Sequence, residues 1–165
     1  MSSVRSPKKS PSVPAPTDTA APASEPVDTG FLRTLVGYNT RRAALSIIAV
    51  FMERMAVYDL KVVDFSVLSL VAHNPGITSR QLCATLSVLP PNMVGLIAAL
   101  ERRGLIERRP HPSDGRAMGV HLTPAGVELT AQAEQTAAQL EEDATHRLTA
   151  AERKTLIRLL QKVYD

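Results

Sequence analysis

The sequence predicts a mainly α fold with a small β-wing: a winged helix-turn-helix flanked by N- and C-terminal helices. Three observations predict it. Glycine is scarce, at eight of 165 residues, and beyond residue 30 apolar side chains recur at three- and four-residue steps, the period of a helix face. Two short helical segments abut between Thr78 and Gly104, as a helix-turn-helix requires. Directly after them, two short runs of strand character flank Pro110–Gly115, a segment of turn residues.

The elements follow in order. Residues 1–29 hold six of the twelve prolines among Ser, Thr and Ala. Such a segment buries too little apolar surface to offset its ordering entropy and is expected to be a disordered tail. A single domain is expected over 30–165. A long helix is predicted from near Phe31. Leu35, Tyr38, Arg42, Leu45, Ala49 and Met52 form one stripe, and Leu32, Val36, Asn39, Ala43, Ile47, Val50 and Arg54 form another. Two stripes imply cover on more than one side. Residues 61–73 form a second helix, ended by Asn74-Pro75-Gly76.

Thr78 can cap the next helix, and Gln81, three residues on, completes a capping box. That helix should end near Leu86-Ser87. The following one starts at Pro90-Pro91, where first-turn amides have no intrahelical partner to lose. It carries Met93, Leu96, Ile97 and Leu100 on one face, and Gly104 supplies the left-handed stop. Leu105–Arg109 and Met118–Leu122 then read as a two-stranded wing. Thr123-Pro124 opens a helix running to about Arg147. Thr149 with Glu152 forms a second capping box before a last helix bearing Leu156, Leu159, Leu160 and Val163. The winged helix-turn-helix thus spans 61–122. The flanking helices, 30–57 and 124–165, need somewhere to bury their apolar faces. A twofold homodimer is the simplest solution, which makes them dimerisation helices.

Composition narrows function. Aromatic residues are 4% with no Trp, too few for a stacking platform on single strands. The one cysteine, Cys83, makes no intrachain disulfide and reads as a structural thiol. His73, His111, His121 and His146 are dispersed and form no zinc set, so no metal site is expected. No glycine-rich phosphate loop or nucleophile elbow is present, so neither an enzyme nor a cofactor is expected. The longest mainly apolar run, Ala43–Met52, is too short for a bilayer, and no export signal opens the chain. A cytoplasmic protein without a membrane partner is the expectation.

The net charge is only +3, but its placement is informative. Residues 1–29 cancel to zero. Residues 102–116 carry Arg102, Arg103, Arg108, Arg109 and Arg116 against Glu107 and Asp114, a local +3 that equals the whole excess. A local basic surface is the footprint of nucleic-acid binding.

Residues 86–126, LSVLPPNMVGLIAALERRGLIERRPHPSDGRAMGVHLTPAG, resemble the multiple-antibiotic-resistance regulator (MarR) family. The matching features are the recognition helix ending LERRGLIERR, the wing Pro-Ser-Asp-Gly-Arg and the exit Leu-Thr-Pro-Ala-Gly. The resemblance extends over roughly residues 31–164. It implies a homodimeric regulator, usually a repressor, that binds double-stranded DNA at a pseudo-palindromic operator and is released by a small molecule.

Candidate DNA-binding residues follow from this frame. Pro90, Pro91, Asn92 and Met93 begin the recognition helix, with Gly95 one turn on. The Asn92 carboxamide can pair with adenine, and the apolar side chains can meet thymine methyls. The helix is poor in hydrogen-bond donors, so specificity should lean on the wing and on DNA shape. Arg116 at the wing tip resembles the arginine this family inserts into the minor groove, with His111 near the same loop. Asp114 is expected to steady the wing by pairing with Arg108. Ser79 and Arg80 suit phosphate contacts at the start of the first motif helix, whereas capping alone explains Thr78. Arg102, Arg103 and Arg109 are expected near phosphates.

Arg42 lies on an otherwise apolar stripe, where a guanidinium usually has an anionic partner. The resemblance puts effectors between the dimerisation helices and the winged part. Arg41 or Arg42, with Tyr38, Asn39, Phe65 and His73, could therefore clamp an aromatic carboxylate; an intersubunit salt bridge is the plainer account. The alternative to a DNA-binding regulator is a winged-helix protein-interaction module, which the donor-poor recognition helix favours and the wing arginines oppose.

Overall fold

The structure is a computed structural model that describes residues 27–111 and 114–164; side chains are described for all of these except 111 and 114–117. The expected tail lies outside the described residues but for its last three. The chain runs through a one-turn helix α1 (Gly30–Arg33), α2 (Val36–Met55), a 3-10 turn (Ala56–Tyr58), α3 (Val62–His73), β1 (Ile77–Thr78), α4 (Ser79–Leu86) and α5 (Pro90–Arg102). A hairpin of β2 (Ile106–His111) and β3 (Asp114–Leu122) follows, then α6 (Pro124–Ala144) and α7 (Ala150–Tyr164). This is the mainly α, winged helix-turn-helix architecture that the sequence predicts.

Most helix ends are where local chemistry puts them. The Thr78 hydroxyl accepts from the Gln81 amide at 3.3 Å while Gln81 Oε1 accepts from the Thr78 amide at 2.9 Å. Thr149 and Glu152 repeat that reciprocal box ahead of α7, at 3.3 and 2.8 Å. Thr123 caps α6 through the Gly126 amide, with Pro124 at the first helical position. Gly104 takes the left-handed conformation, φ +69°, that a helix stop requires.

Four features differ from the sequence reading. The first helix is broken: Leu35 is extended (φ −91°, ψ 129°), and the Asn39 Nδ2 donates to the carbonyls of Arg33 and Leu35, both at 2.8 Å. That carboxamide satisfies carbonyls the break leaves open. The wing strands extend into the expected turn, because β2 is an edge strand and an edge tolerates Pro110. A two-residue strand, β1, also joins the hairpin, giving an antiparallel sheet ordered β1-β3-β2 with Ile77 opposite Val120. Helix α6 ends at Ala144, three residues early.

The core lies where α2, α3, α5, α6 and the sheet meet. Phe51 and Met55 of α2, Val67, Leu68 and Val71 of α3, Leu82, Met93, Ile97, Leu100, Ile106 and Val120 fill it. Phe51 meets Phe65 edge-on with ring centroids 5.6 Å apart. Arg54 ties α2 to α6 through Asp143 at 2.9 Å. In contrast, α2 before Val50 and all of α7 are outside this core: none of α7's described residues is buried, and Leu45, Ile48, Leu156 and Leu159 are exposed.

Candidate nucleic-acid interface

Helices α4 and α5 turn by 115° across the Ser87–Leu89 link, the crossing expected of a helix-turn-helix. Ser87 makes that turn possible by adopting a left-handed conformation, φ 52°. The inner face of α5 is set by Met93, Ile97 and Leu100, spaced at four and three residues and all buried. Its outer face therefore carries Pro91, Asn92, Val94, Gly95 and Arg102, all exposed, with Pro90 exposed at the entry. Asn92, Pro90, Pro91 and Gly95 stand where a groove-reading helix would present them. Met93 does not. It is fully buried, because it begins the apolar stripe that anchors the helix. Two apolar residues that the sequence reading passed over take its place on the surface, Leu89 at 69% and Val94 at 61% exposure. Val94 was legible as the residue three after Pro91, off the buried stripe.

On α4, Arg80 is exposed and Ser79 half-buried. The arginines beyond α5 divide by their partners. Arg108 of β2 forms a double hydrogen bond to Glu101 of α5, Nε to Oε1 at 3.2 Å and Nη2 to Oε2 at 2.7 Å. The hydrogen bond from Arg108, and then its charge, hold the Glu101 carboxyl below its ordinary pKa, and the same contact raises that of Arg108. Arg109 pairs with Glu107. Arg103, expected near phosphates, instead gives its guanidinium to two backbone carbonyls, Asp59 through Nη1 and Tyr58 through Nη2, each at 2.8 Å. The Arg102 side chain is exposed and has no hydrogen-bond partner among the described residues. The side chains of His111, Asp114 and Arg116, and with them the expected Asp114–Arg108 pairing, lie outside those described. Counting Glu101 with the segment it neutralises lowers the local excess from +3 to +2.

The expected effector cluster is not assembled within one chain. Tyr38, Asn39, Arg41 and Arg42 lie on the first half of α2, with both arginines exposed. Asn39 is committed to the α1–α2 break. Phe65 packs on Phe51, nine residues beyond Arg42 and thirteen beyond Tyr38, or about 14–20 Å along the helix. His73 Nε2 meets Glu134 Oε1 at 3.0 Å, and the same carboxylate accepts from Ser69 at 2.7 Å. A benzoate-sized molecule would not span these groups in one copy. Cys83 is half-buried against the core. Among the described residues no group of three His, Cys, Asp or Glu could hold a metal ion, and no single helix is long and apolar enough to cross a membrane.

A hydrophobic groove of about 590 Å³ runs between α2 and α7 at the other end of the molecule. Val36, Ala43, Ile47, Leu156, Leu159 and Val163 line it, together with the polar Thr34, Asn39 and Thr40.

Comparison with known proteins agrees with this geometry. The MarR family model matches residues 58–117, from the end of the 3-10 turn into β3. A Thauera aromatica protein described as a putative transcriptional regulatory protein for the hcr operon is 37% identical over 100 residues, 61% of this chain and 60% of its own length. Among solved structures, the transcriptional repressor CouR bound to a 23-mer DNA duplex superposes with a TM-score of 0.79 at 34% identity, covering 85% of this chain and 99% of CouR. A Mycobacterium tuberculosis MarR-family protein in complex with salicylic acid superposes at 0.64 with 26% identity, covering 78% and 96%. This chain belongs to the MarR family of winged helix-turn-helix transcriptional regulators.

Proposed function

We propose that the chain acts as a homodimeric repressor, reading a pseudo-palindromic operator with two copies of α5 and the wing and leaving it when a small aromatic acid binds. The observation that carries the reading is the outward face of α5, where Pro90, Pro91, Asn92 and Gly95 are free to enter a groove while Met93, Ile97 and Leu100 fix the helix from behind. The likeness to a repressor bound to duplex DNA supports it. Ser79, Arg80, Arg102 and Arg109 are the proposed phosphate neighbours, and Arg116, with His111 and Asp114 in the same wing, the proposed minor-groove contact.

The second copy is supported by the uncovered groove between α2 and α7. A contiguous apolar face of that kind is seldom left to water. Domain limits follow: 30–57 and 124–165 as dimerisation helices and 61–122 as the DNA-reading part, behind a tail of 29 residues. The effector reading is supported by the salicylic acid complex of the mycobacterial relative and by the exposed Arg41 and Arg42 beside Tyr38. Phe65 and His73 would join such a site only from a second copy or after rearrangement.

Footprinting on duplexes enriched from a randomised library tests the whole. The expected result is a protected pseudo-palindrome whose affinity falls steeply with salt and is relieved by salicylate. Arg116→Ala should weaken that binding; equal binding by this variant removes the wing from the reading, and no enrichment removes DNA. The donor-poor face of α5, with Leu89 and Val94 exposed, supports a second reading as a protein-interaction module. Absence of any salt-sensitive DNA binding would favour it.

A further inference from the structure

We infer that Arg103 is a positioning residue for DNA recognition: it sets the angle of α5 against the long helices and touches no DNA itself. The inference rests on the reading of α5 as the groove helix. Arg103 is the residue after the last turn of α5, and its side chain is 30% exposed. Its two terminal nitrogens donate in parallel to the carbonyls of Tyr58 and Asp59, each at 2.8 Å. Those carbonyls lie at the end of the 3-10 turn that joins α2 to α3. Asp59 holds a left-handed conformation there, φ 51° and ψ 47°, and its amide donates back to Ala56 at 3.0 Å.

The far end of Tyr58 is fixed as well. Its hydroxyl meets Thr136 Oγ1 of α6 at 2.9 Å. Hydrogen bonds therefore tie the exit of α5 to the Tyr58 backbone and the Tyr58 side chain to α6, with α2 entering the same corner. Helix α2, one wall of the groove proposed for a second copy, ends at this corner. A lever of thirteen residues, about 20 Å, amplifies a small rotation at this end of α5 into a large displacement at Pro90–Asn92. Arginine suits the task because its planar fork donates two parallel bonds, whereas lysine offers a point charge on a flexible stem.

The test separates positioning from phosphate contact. Arg103→Met and Arg103→Lys are compared with the parent on a duplex enriched by the parent from a randomised library and on a scrambled duplex of the same length, across a salt series, with melting temperatures alongside. A phosphate contact would cost affinity on both duplexes, lower the slope of log K against log salt by about one, and be restored by lysine. The positioning role predicts a roughly tenfold or greater loss on the enriched duplex only, an unchanged slope, and no restoration by lysine. Equal losses on both duplexes with a reduced slope overturn it, as does unchanged affinity for the enriched duplex. A parent that enriches no duplex overturns the DNA reading of α5 and this inference with it. A positive parent with either contrary variant result overturns the inference alone.

Discussion

Glu101 near the end of α5 and Arg108 on β2 form a double hydrogen bond, at 2.7 and 3.2 Å, that fastens the wing to the recognition helix. The contact links the two elements that would enter adjacent grooves of a duplex. The hydrogen bond from Arg108 lowers the Glu101 pKa in the folded chain. A lowered carboxylate pKa contributes stability that is complete above the unfolded value and disappears as pH falls through the folded one. Both groups are on the surface, so the contribution is small. We expect Glu101→Gln to lower the melting temperature slightly at pH 7. The difference should close only below the ordinary glutamate pKa of 4.5. The same variant frees the Arg108 charge and should raise affinity for scrambled DNA. A melting difference that persists unchanged down to pH 3 would contradict the pairing.

Gly126 sits where the first turn of α6 presses on the chain entering β2. A Cβ built there would lie 1.9 Å from the Leu105 carbonyl oxygen, which also accepts the Thr123 amide at 3.1 Å. Backbone would have to give way on both sides, beyond ordinary overpacking. Gly126→Ala should cost about 3 kcal/mol in urea unfolding. A cost under about 1 kcal/mol would show that this corner yields.

Much of the fold was legible because it is written locally. The Thr78–Gln81 and Thr149–Glu152 boxes, Pro124 after Thr123, and Gly104 after α5 each carry their signal within four residues, and each is found where that signal puts it. The outward start of α5 was legible for the same reason, since Pro90-Pro91 and the Met93–Ile97–Leu100 stripe fix both its beginning and its orientation. What was missed depends on partners distant in sequence. Two residues of β1 have no period of their own and become a strand only beside Val120 and Gly119. Arg103 reads as one of a basic run, and nothing near it announces carbonyls 44 and 45 residues upstream. Asn39 reads as part of a helical stripe, though its amide serves a break in that helix.

Met93 and Val94 are neighbours with opposite surroundings, 0% and 61% exposed. Met93→Ala should cost about 2–4 kcal/mol of stability, as cavity-forming truncations do. Val94→Ala should leave stability within about 0.5 kcal/mol and change affinity for the enriched duplex instead. Asn92→Ala should lose about 1–3 kcal/mol of discrimination at a single base pair in each half-site. Measuring unfolding and binding on the three variants separates the two faces of α5. A stability loss at Val94 comparable to that at Met93 would mean that the helix is rotated from the orientation described.

Leu159 and Leu156 face the groove of about 590 Å³ between α7 and α2, and both are exposed in a single copy. The buried core ends at Leu140 of α6 and includes nothing from α7, so α7 gains little cover from its own chain. If a second copy fills the groove, a charge placed in it must be desolvated on association without a partner, which costs several kcal/mol. Leu159→Glu should therefore convert a dimer into monomers in sedimentation equilibrium. The helix-turn-helix core, remote from the substitution, should keep its fold. Affinity for a full pseudo-palindrome should then fall toward that for a half-site, because each monomer brings one α5 and loses the linked second contact. A variant that remains dimeric, or a parent that is monomeric at micromolar concentration, would place the dimer interface elsewhere or remove it.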